Sequence, residues 1–260
     1  MKKIIFTDLD GTLLDKTYSF KKAIPALKLL EKKKNPLIIC TSKTRAEIEY
    51  YRKKLGNKDP FISENGGAIF IPKNYFNFKF KCDKKDNKYF IIKLGIDYKK
   101  LINILKKIKK EKYSVVGFSD MSIKEVAKDT GLSLNQAKLA KKRGFDEAFK
   151  ILDKKDEKEI LKLIKKNKFN YTVGGRYYHL MEKSDKGKAV KILSNLLRKK
   201  FGKIETVGIG DSRNDFEMLD KTDISYLVQR PNGSYASEKY IKAEGIGPVG
   251  WGKAVKEVLK

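Results

Sequence analysis

The sequence predicts an α/β protein, a Rossmann-like parallel sheet with a smaller α+β unit inserted into it. Two observations carry the prediction. Short apolar runs ending in polar, glycine-bearing loops alternate with helical patterns at both ends of the chain, the rhythm of a parallel sheet. Between about 81 and 185 closely spaced strands replace that rhythm, and afterwards it returns. With 260 residues the chain can bury a real core, enough for one large unit or two small ones.

Lys3–Thr7 is apolar and β-branched and stops at Asp8-Leu9-Asp10-Gly11-Thr12, so a buried strand runs into a tight loop. Ser19 is a candidate cap for a helix over Lys21–Lys34, where Ala23, Ile24, Leu27 and Leu30 recur at helical spacing. Leu37–Cys40 reads as a second strand, ending in Thr41-Ser42. A helix over Arg45–Leu55, a strand at Pro60–Ser63 and the turn Glu64-Asn65-Gly66-Gly67 follow.

The middle of the chain reads differently. Tyr89–Leu94, Val115–Phe118 and Phe145–Leu152 are strands, and Tyr98–Lys110 and Glu157–Lys166 are amphipathic helices. Shorter helical patterns occupy Ile123–Asp129 and Leu134–Arg143. Phe169–Val173 and Tyr177–Leu180 form a hairpin across Gly174-Gly175-Arg176. A helix over Lys188–Lys199 and a strand at Thr206–Ile209, ending in Gly210-Asp211-Ser212-Arg213-Asn214-Asp215, restore the first rhythm. The expected units are a core of 1–80 with 186–260, and an insert of 81–185.

Composition narrows the function classes. No apolar run approaches the roughly 20 residues that span a bilayer, and Met1–Phe6 is too short for a secretory leader before Asp8 interrupts it. Cys40 and Cys82 make no disulfide framework. A cytoplasmic protein without a membrane partner is expected, as a monomer or a homodimer. The net charge of +28 invites a nucleic-acid reading, but only seven of the 60 basic residues are Arg, and the lysines are scattered along helical faces. That pattern fits a general coding bias towards lysine. A field favouring anionic substrates comes with it.

Phosphoryl transfer needs a nucleophile, cations for the equatorial oxygens and an acid for the leaving oxygen. Asp8 and Asp10 stand at one strand end with one residue between them, so both carboxylates can face one crevice. One can attack phosphorus while the other handles protons. Gly11 lets the backbone turn close to a phosphate, and Thr12 adds a hydroxyl. Asp211 and Asp215 follow another apolar strand. Asp8, the Asp10 carbonyl and Asp211 are the oxygen donors that Mg²⁺ prefers. Thr41 lies at a third strand end, where open α/β sheets build their sites. Lys186, entering a helix, can balance carboxylates and phosphate.

Taken in order, Asp8-Leu-Asp10-Gly-Thr12, Thr41, Lys186 and Gly210-Asp211-x-x-Asn214-Asp215 resemble the four motifs of the haloacid dehalogenase superfamily. Gly187 after the lysine and the roughly hundred-residue insert are similar to its type IIB branch. Within that branch, Cys40–Ile48, Ser63–Ile69, Gly117–Ser122, Thr130–Leu132, Gly174–Leu180 and Gly247–Trp251 resemble the mannosyl-3-phosphoglycerate phosphatase family, over nearly the whole chain.

The resemblance implies a phosphatase with Asp8 as nucleophile and Asp10 as general acid. It implies Thr12, Thr41, Ser42, Asn214 and Lys186 around the phosphate, and Mg²⁺ on Asp8, Asp10 and Asp211 supported by Asp215. Arg176 and His179 are expected to face the cleft, Arg176 as a clamp on the substrate's carboxylate. Ser119, Asp120 and Gln136 are expected at sugar hydroxyls. The partner implied is a small anionic sugar phosphate. Arg213 departs from the small residue or proline usual in the last motif.

Two alternatives compete. The same branch contains phosphatases of other sugar and polyol phosphates, which share the sheet and insert. Residues 122–140 also read like a helix-turn-helix, with Gly131 in the turn, and support a DNA-binding protein. However, the base-reading start at Leu134–Gln136 would then lie inside an insertion. Two helices covering a site give the same pattern, so no nucleic-acid partner is expected.

Overall fold

β1 (Lys2–Thr7) is the buried strand that its composition predicts. Ile4, Ile5 and Phe6 are fully enclosed in this computed structural model, which describes residues 1–182 and 184–260. A 3-10 turn at Lys21–Ala23 leads into α1 (Ile24–Lys32), with Pro25 in its first turn, where no intrahelical N–H is needed. β2 (Leu37–Cys40) follows, then α2 (Arg45–Leu55) and β3 (Phe61–Ser63). α2 starts at a reciprocal cap. Thr44 Oγ1 accepts the Glu47 N–H, and the Glu47 carboxylate accepts the Thr44 N–H at 2.9 Å. It ends at Gly56, whose left-handed φ of 63° suits a residue without a side chain.

Three antiparallel strands come next: β4 (Ala68–Pro72), β5 (Lys84–Lys85) and β6 (Tyr89–Lys93). The insert then runs α3 (Tyr98–Lys110), β7 (Val115–Gly117), α4 (Ile123–Thr130), α5 (Leu134–Ala140), β8 (Glu147–Ile151), α6 (Glu157–Lys166), β9 (Asn170–Gly174) and β10 (Tyr177–Met181). The chain returns through α7 (Lys186–Phe201), β11 (Ile204–Gly210), α8 (Phe216–Leu219), β12 (Ile224–Gln229), β13 (Ile241–Ile246) and α9 (Pro248–Val258).

The large sheet has nine strands in the order β13-β12-β11-β1-β2-β3-β4-β6-β5. Neighbours from β13 to β3 are parallel, and β4, β6 and β5 extend the edge antiparallel. Side-chain alternation divides the core between two faces. Ile5 packs with Leu30, Ile48 and Trp251 beneath α1, α2 and α9, whereas Ile4 and Phe6 pack with Val190, Leu193 and Met218 beneath α7 and α8. Trp251 is fully buried and donates its indole N–H to Thr7 Oγ1 at 2.9 Å. Truncating such a side chain costs about 3–5 kcal/mol.

The second sheet is antiparallel, β7-β8-β10-β9. α3 and α6 cover one face through Leu101, Leu105, Phe149, Ile160 and Leu180. On the other face, α4 and α5 pack Val126, Ala137 and Ala140 against Phe118 and Ala148. His179 pairs in register with Ala148 and so shares that second face.

Three expectations need correction. The insert starts later than 81, because β6 pairs with β4 in the large sheet; its period-2 pattern fits either sheet and says nothing about which one it joins. The strand expected at Phe145 starts at Glu147, because the N–H groups of Gly144, Phe145 and Asp146 all donate to Glu64 Oε2 instead of a strand partner. The helix expected to reach Arg143 ends at Ala140, which frees Arg143 to bond Asp146 and the Ser42 carbonyl. No helix among the described residues is long and apolar enough to cross a membrane.

Candidate active site

Parallel pairing of β11, β1 and β2 brings three strand ends together, and with them Asp211, Asp8 and Thr41. The Asp8 N–H continues the ladder to the Ile209 carbonyl at 3.1 Å, so its position is set by the sheet. Gly11 then turns the chain at φ 72°. A Cβ there would lie 2.9 Å from Asp211 Oδ2, so the loop approaches Asp211 as closely as only glycine allows. Thr12 is fully buried and donates to Asp211 Oδ1 at 2.8 Å.

Lys186 opens α7 and is 1% exposed. Its Nζ lies 3.0 Å from Asp8 Oδ1 and 2.6 Å from Asp215 Oδ1. Asp215 also accepts the N–H groups of Asp211 and Ser212, at 3.0 and 3.2 Å, and thereby fixes the loop after β11. Carboxylate oxygens of Asp8, Asp211 and Asp215 lie within 4.8 Å of one another. Ionised, three carboxylates against one ammonium leave two negative charges in a buried space.

The electrostatics follow from that imbalance. Burial pushes the Asp8 carboxyl up to about 7, against the pull of Lys186 and with the push of Asp215 and Asp10. Burial, then Asp215 and Asp8, holds Asp211 well above the usual carboxylate range. For Lys186, burial opposes the charge, but Asp215 and Asp8 outweigh it and raise its proton affinity. Such a donor set suits a hard dication bound by oxygen.

A cavity of about 980 Å³ opens over these groups. Asp8, Asp10, Ser42, Asp211 and Asn214 line its floor, and Arg176 and His179 reach it from the β9–β10 hairpin. Thr41 is fully buried and does not itself line the cavity; its Oγ1 accepts the Lys43 N–H at 3.4 Å. Arg176 is exposed and donates to the Thr130 carbonyl at 3.1 Å. His179 Nδ1 lies 3.1 Å from Asp146 Oδ2. Asp146 is fully buried; burial resists its ionisation, but Arg143 and His179 outweigh this and lower its pKa. Asn65 donates to Asp146 at 2.9 Å and lies 3.5 Å from the Asn214 amide, so a polar chain joins the insert to the loop after β11.

Three expected residues stand elsewhere. Ser119 bonds Glu147 at 2.6 Å, and Asp120 accepts the Gly117 N–H at 2.8 Å while pairing with Lys109. Gln136 closes the cap of α5 with Ser133 and lies 3.4 Å from the Tyr51 hydroxyl. None of the three lines the cavity. The helix pair containing Gln136 is also held on the core, where Thr44 Oγ1 donates to the Leu139 carbonyl at 3.0 Å.

Lys43 is the residue that the sequence reading missed. It is 6% exposed, lines the cavity and pairs with Asp10 Oδ2 at 2.9 Å. Asp10 Oδ1 is buried without a hydrogen-bond partner among the described residues. The available signal was position, between the end of β2 and the Thr44-x-x-Glu47 cap.

Comparison with known proteins gives the family. Residues 5–237 match the family model of the haloacid dehalogenase-like hydrolases. A glucosyl-3-phosphoglycerate/mannosyl-3-phosphoglycerate phosphatase of Methanococcoides burtonii is 47% identical over 100% of this chain and 98% of its own. A mannosyl-3-phosphoglycerate phosphatase of Pyrococcus furiosus is 39% identical over 88% of this chain and 91% of its own. Among solved structures, a subclass IIB sugar phosphatase superimposes with a TM-score of 0.67 at 19% identity, covering 99% of both chains.

Proposed function

The chain belongs to the haloacid dehalogenase-like hydrolases, and from that premise we propose that it removes phosphate from glucosyl- and mannosyl-3-phosphoglycerate. The reaction is hydrolysis of a phosphoric monoester. The observation that carries the proposal is Asp8, anchored by Lys186 at the end of β1, beside a second carboxylate, Asp10, that lines the same cavity.

In this reading the Asp8 carboxylate attacks phosphorus in line. The bond from phosphorus to the glycerate oxygen breaks, and that oxygen takes a proton from Asp10. Water then adds to the phosphorus of the aspartyl phosphate, with Asp10 taking the proton, and releases phosphate and free Asp8. Lys186 holds Asp8 in position, and Ser42 and Asn214, which line the cavity, together with the buried Thr41 beside Ser42, are the groups proposed for the phosphate oxygens. Asp8, Asp211, Asp215 and the Asp10 carbonyl would hold Mg²⁺, which when bound neutralises the developing phosphoryl charge and draws the Asp8 proton off. The products are glucosylglycerate and mannosylglycerate, solutes of the compatible kind, and the setting proposed is the cytoplasm.

A substrate panel tests the assignment. With Mg²⁺ present, kcat/KM on the two glycosyl phosphoglycerates should exceed that on mannose 1-phosphate and phosphoglycolate by about 10⁴-fold, the discrimination expected where polar groups of the site are matched. Comparable values on all four would assign the chain to a broad sugar and polyol phosphatase. EDTA should silence the reaction and Mg²⁺ restore it.

A further inference from the structure

We propose that Lys43 reads the carboxylate of the leaving glycerate and is the residue that makes the enzyme selective for phosphoglycerate esters; this rests on the substrate reading above. Lys43 is a second buried cation, set apart from the one that steadies Asp8. Its Nζ lies 2.9 Å from Asp10 Oδ2 and 3.4 Å from Glu47 Oε1, and it stands 5.1 Å from the ring centre of Tyr18 and 5.8 Å from that of Tyr51. The two rings wall the ammonium on its apolar side and favour its charge. The open side is the cavity.

The chemistry of the leaving group fixes what such a cation meets. Asp10 must reach the ester oxygen on the third carbon of glycerate to protonate it. The carboxylate is two carbons away from that oxygen. A cation touching Asp10 is therefore within reach of the carboxylate whenever the ester oxygen is placed for protonation. Arg176 is less suited, because it is exposed and donates to the Thr130 carbonyl.

Exchange of partners keeps the local charge constant. In the free chain Lys43 holds the Asp10 and Glu47 carboxylates; when the glycerate carboxylate arrives, it takes the Asp10 position on the ammonium. The displaced Asp10 turns towards the ester oxygen and takes one proton from solvent, the proton it then gives to that oxygen. One carboxylate enters and one proton comes with it, so the local charge is unchanged and no buried charge is left unpaired. Recognition of the acid thus also frees the residue that protonates the leaving group.

The test compares 2-O-mannosyl-3-phosphoglycerate with its reduced analogue, in which the carboxylate is a hydroxymethyl group. A charge-assisted contact is worth about 10- to 100-fold, so the natural enzyme should prefer the acid in kcat/KM by about that factor. Lys43→Met should bring the ratio close to one, and Lys43→Arg should keep part of the preference. A natural enzyme without preference overturns the inference, as does a Lys43→Met enzyme that keeps the natural ratio. Should Lys43→Met not fold, the natural enzyme's ratio and the Arg variant still decide. If neither glycosyl ester is hydrolysed while other phosphates are, the substrate reading itself falls and this inference with it; equal hydrolysis of both esters overturns the inference alone.

Discussion

The ammonium of Lys186 lies 3.0 Å from Oδ1 of Asp8, with both side chains almost completely out of solvent. The approach is built into the backbone. Asp185 caps α7 by accepting the Lys188 N–H, and Gly187 then lets the helix press directly on α8. A Cβ at Gly187 would lie 2.1 Å from the Glu217 carbonyl oxygen, so any larger residue would push Lys186 away from its partners. With Asp215 at 2.6 Å on its other side, one lysine ties α7 to β1 and to the loop after β11.

Removing that lysine leaves two carboxylates buried without their cation. Lys186→Met should lower stability by about 3–5 kcal/mol, the usual consequence of breaking a buried pair, and reduce kcat at least ~1000-fold. The double variant with Asp215→Asn should be less destabilised than the sum of the single ones, because the orphaned charge is gone. Urea unfolding in EDTA measures both. A single variant within about 1 kcal/mol of the parent would rule out this account of the ion pair.

The carboxylates around Lys186 also set a pH dependence for the metal-free chain. Asp8 is raised to about 7 in the fold against 3.8 as a free side chain, and Asp211 is raised as well. Below the ordinary carboxylate range these groups are protonated in both states and contribute no penalty. As pH rises through 3.8 the unfolded chain ionises first, so folding is progressively disfavoured until about 7, where Asp8 also ionises in the fold. In EDTA, Asp8→Asn should therefore gain in Tm over the parent between pH 5 and pH 8. Mg²⁺ should raise the parent's Tm more at pH 8 than at pH 5, because protons compete for the same oxygens. Thermal scans at the two pH values check the sign; a metal-induced shift larger at pH 5 contradicts it.

Glu64 sets the joint between the two sheets. Its Oε2 accepts three successive N–H groups, those of Gly144, Phe145 and Asp146, at 2.7 to 3.0 Å. Both Glu64 and Asn65 hold left-handed backbone angles, at φ 49° and 52°. That strain, of order 1–3 kcal/mol each, persists because the contacts over-determine it. Glu64→Ala should cost about 2–4 kcal/mol through three unmet donors. It should also lower kcat/KM on glycosyl phosphoglycerates more than on phosphoglycolate, since the insert loses its seat while the core keeps Asp8. Equal losses on both substrates would confine Glu64 to a purely structural role.

The residues legible in the sequence are those whose chemistry is fixed by local order. Asp8, Asp10 and Gly11 directly follow an apolar strand, and parallel pairing then brings that loop beside the one holding Asp211 and Asp215. The residues misread in the insert are polar groups satisfied by near neighbours. Ser133-x-x-Gln136 has the spacing of a reciprocal cap, and the structure uses Gln136 for that. Asp120 closes its own turn through the Gly117 N–H. Lys43 was hidden for the opposite reason: among so many lysines, type carries no information, and only burial between Asp10, Glu47 and two tyrosines distinguishes it. β6 was misplaced because the alternation of an antiparallel strand looks the same in either sheet.

Asp10 can be separated from Asp8 by the leaving group it serves. Protonation matters when the departing oxygen is an alkoxide, as in glycerate, and matters little when it is p-nitrophenolate, which leaves without help near neutral pH. Asp10→Asn should therefore slow phosphorylation of Asp8 by about 10²- to 10⁴-fold on a glycosyl phosphoglycerate, and much less on p-nitrophenyl phosphate. Hydrolysis of the aspartyl phosphate still needs a base for its water, so with p-nitrophenyl phosphate this variant should release a burst of about one nitrophenolate per chain and then nearly stop. Asp8→Asn should give neither burst nor turnover while unfolding like a folded protein in urea. Stopped-flow absorbance at high enzyme concentration reads the amplitude directly. A full burst from Asp8→Asn, or equal slowing of the Asp10→Asn variant on both substrates, would transfer the nucleophile or the acid to another residue.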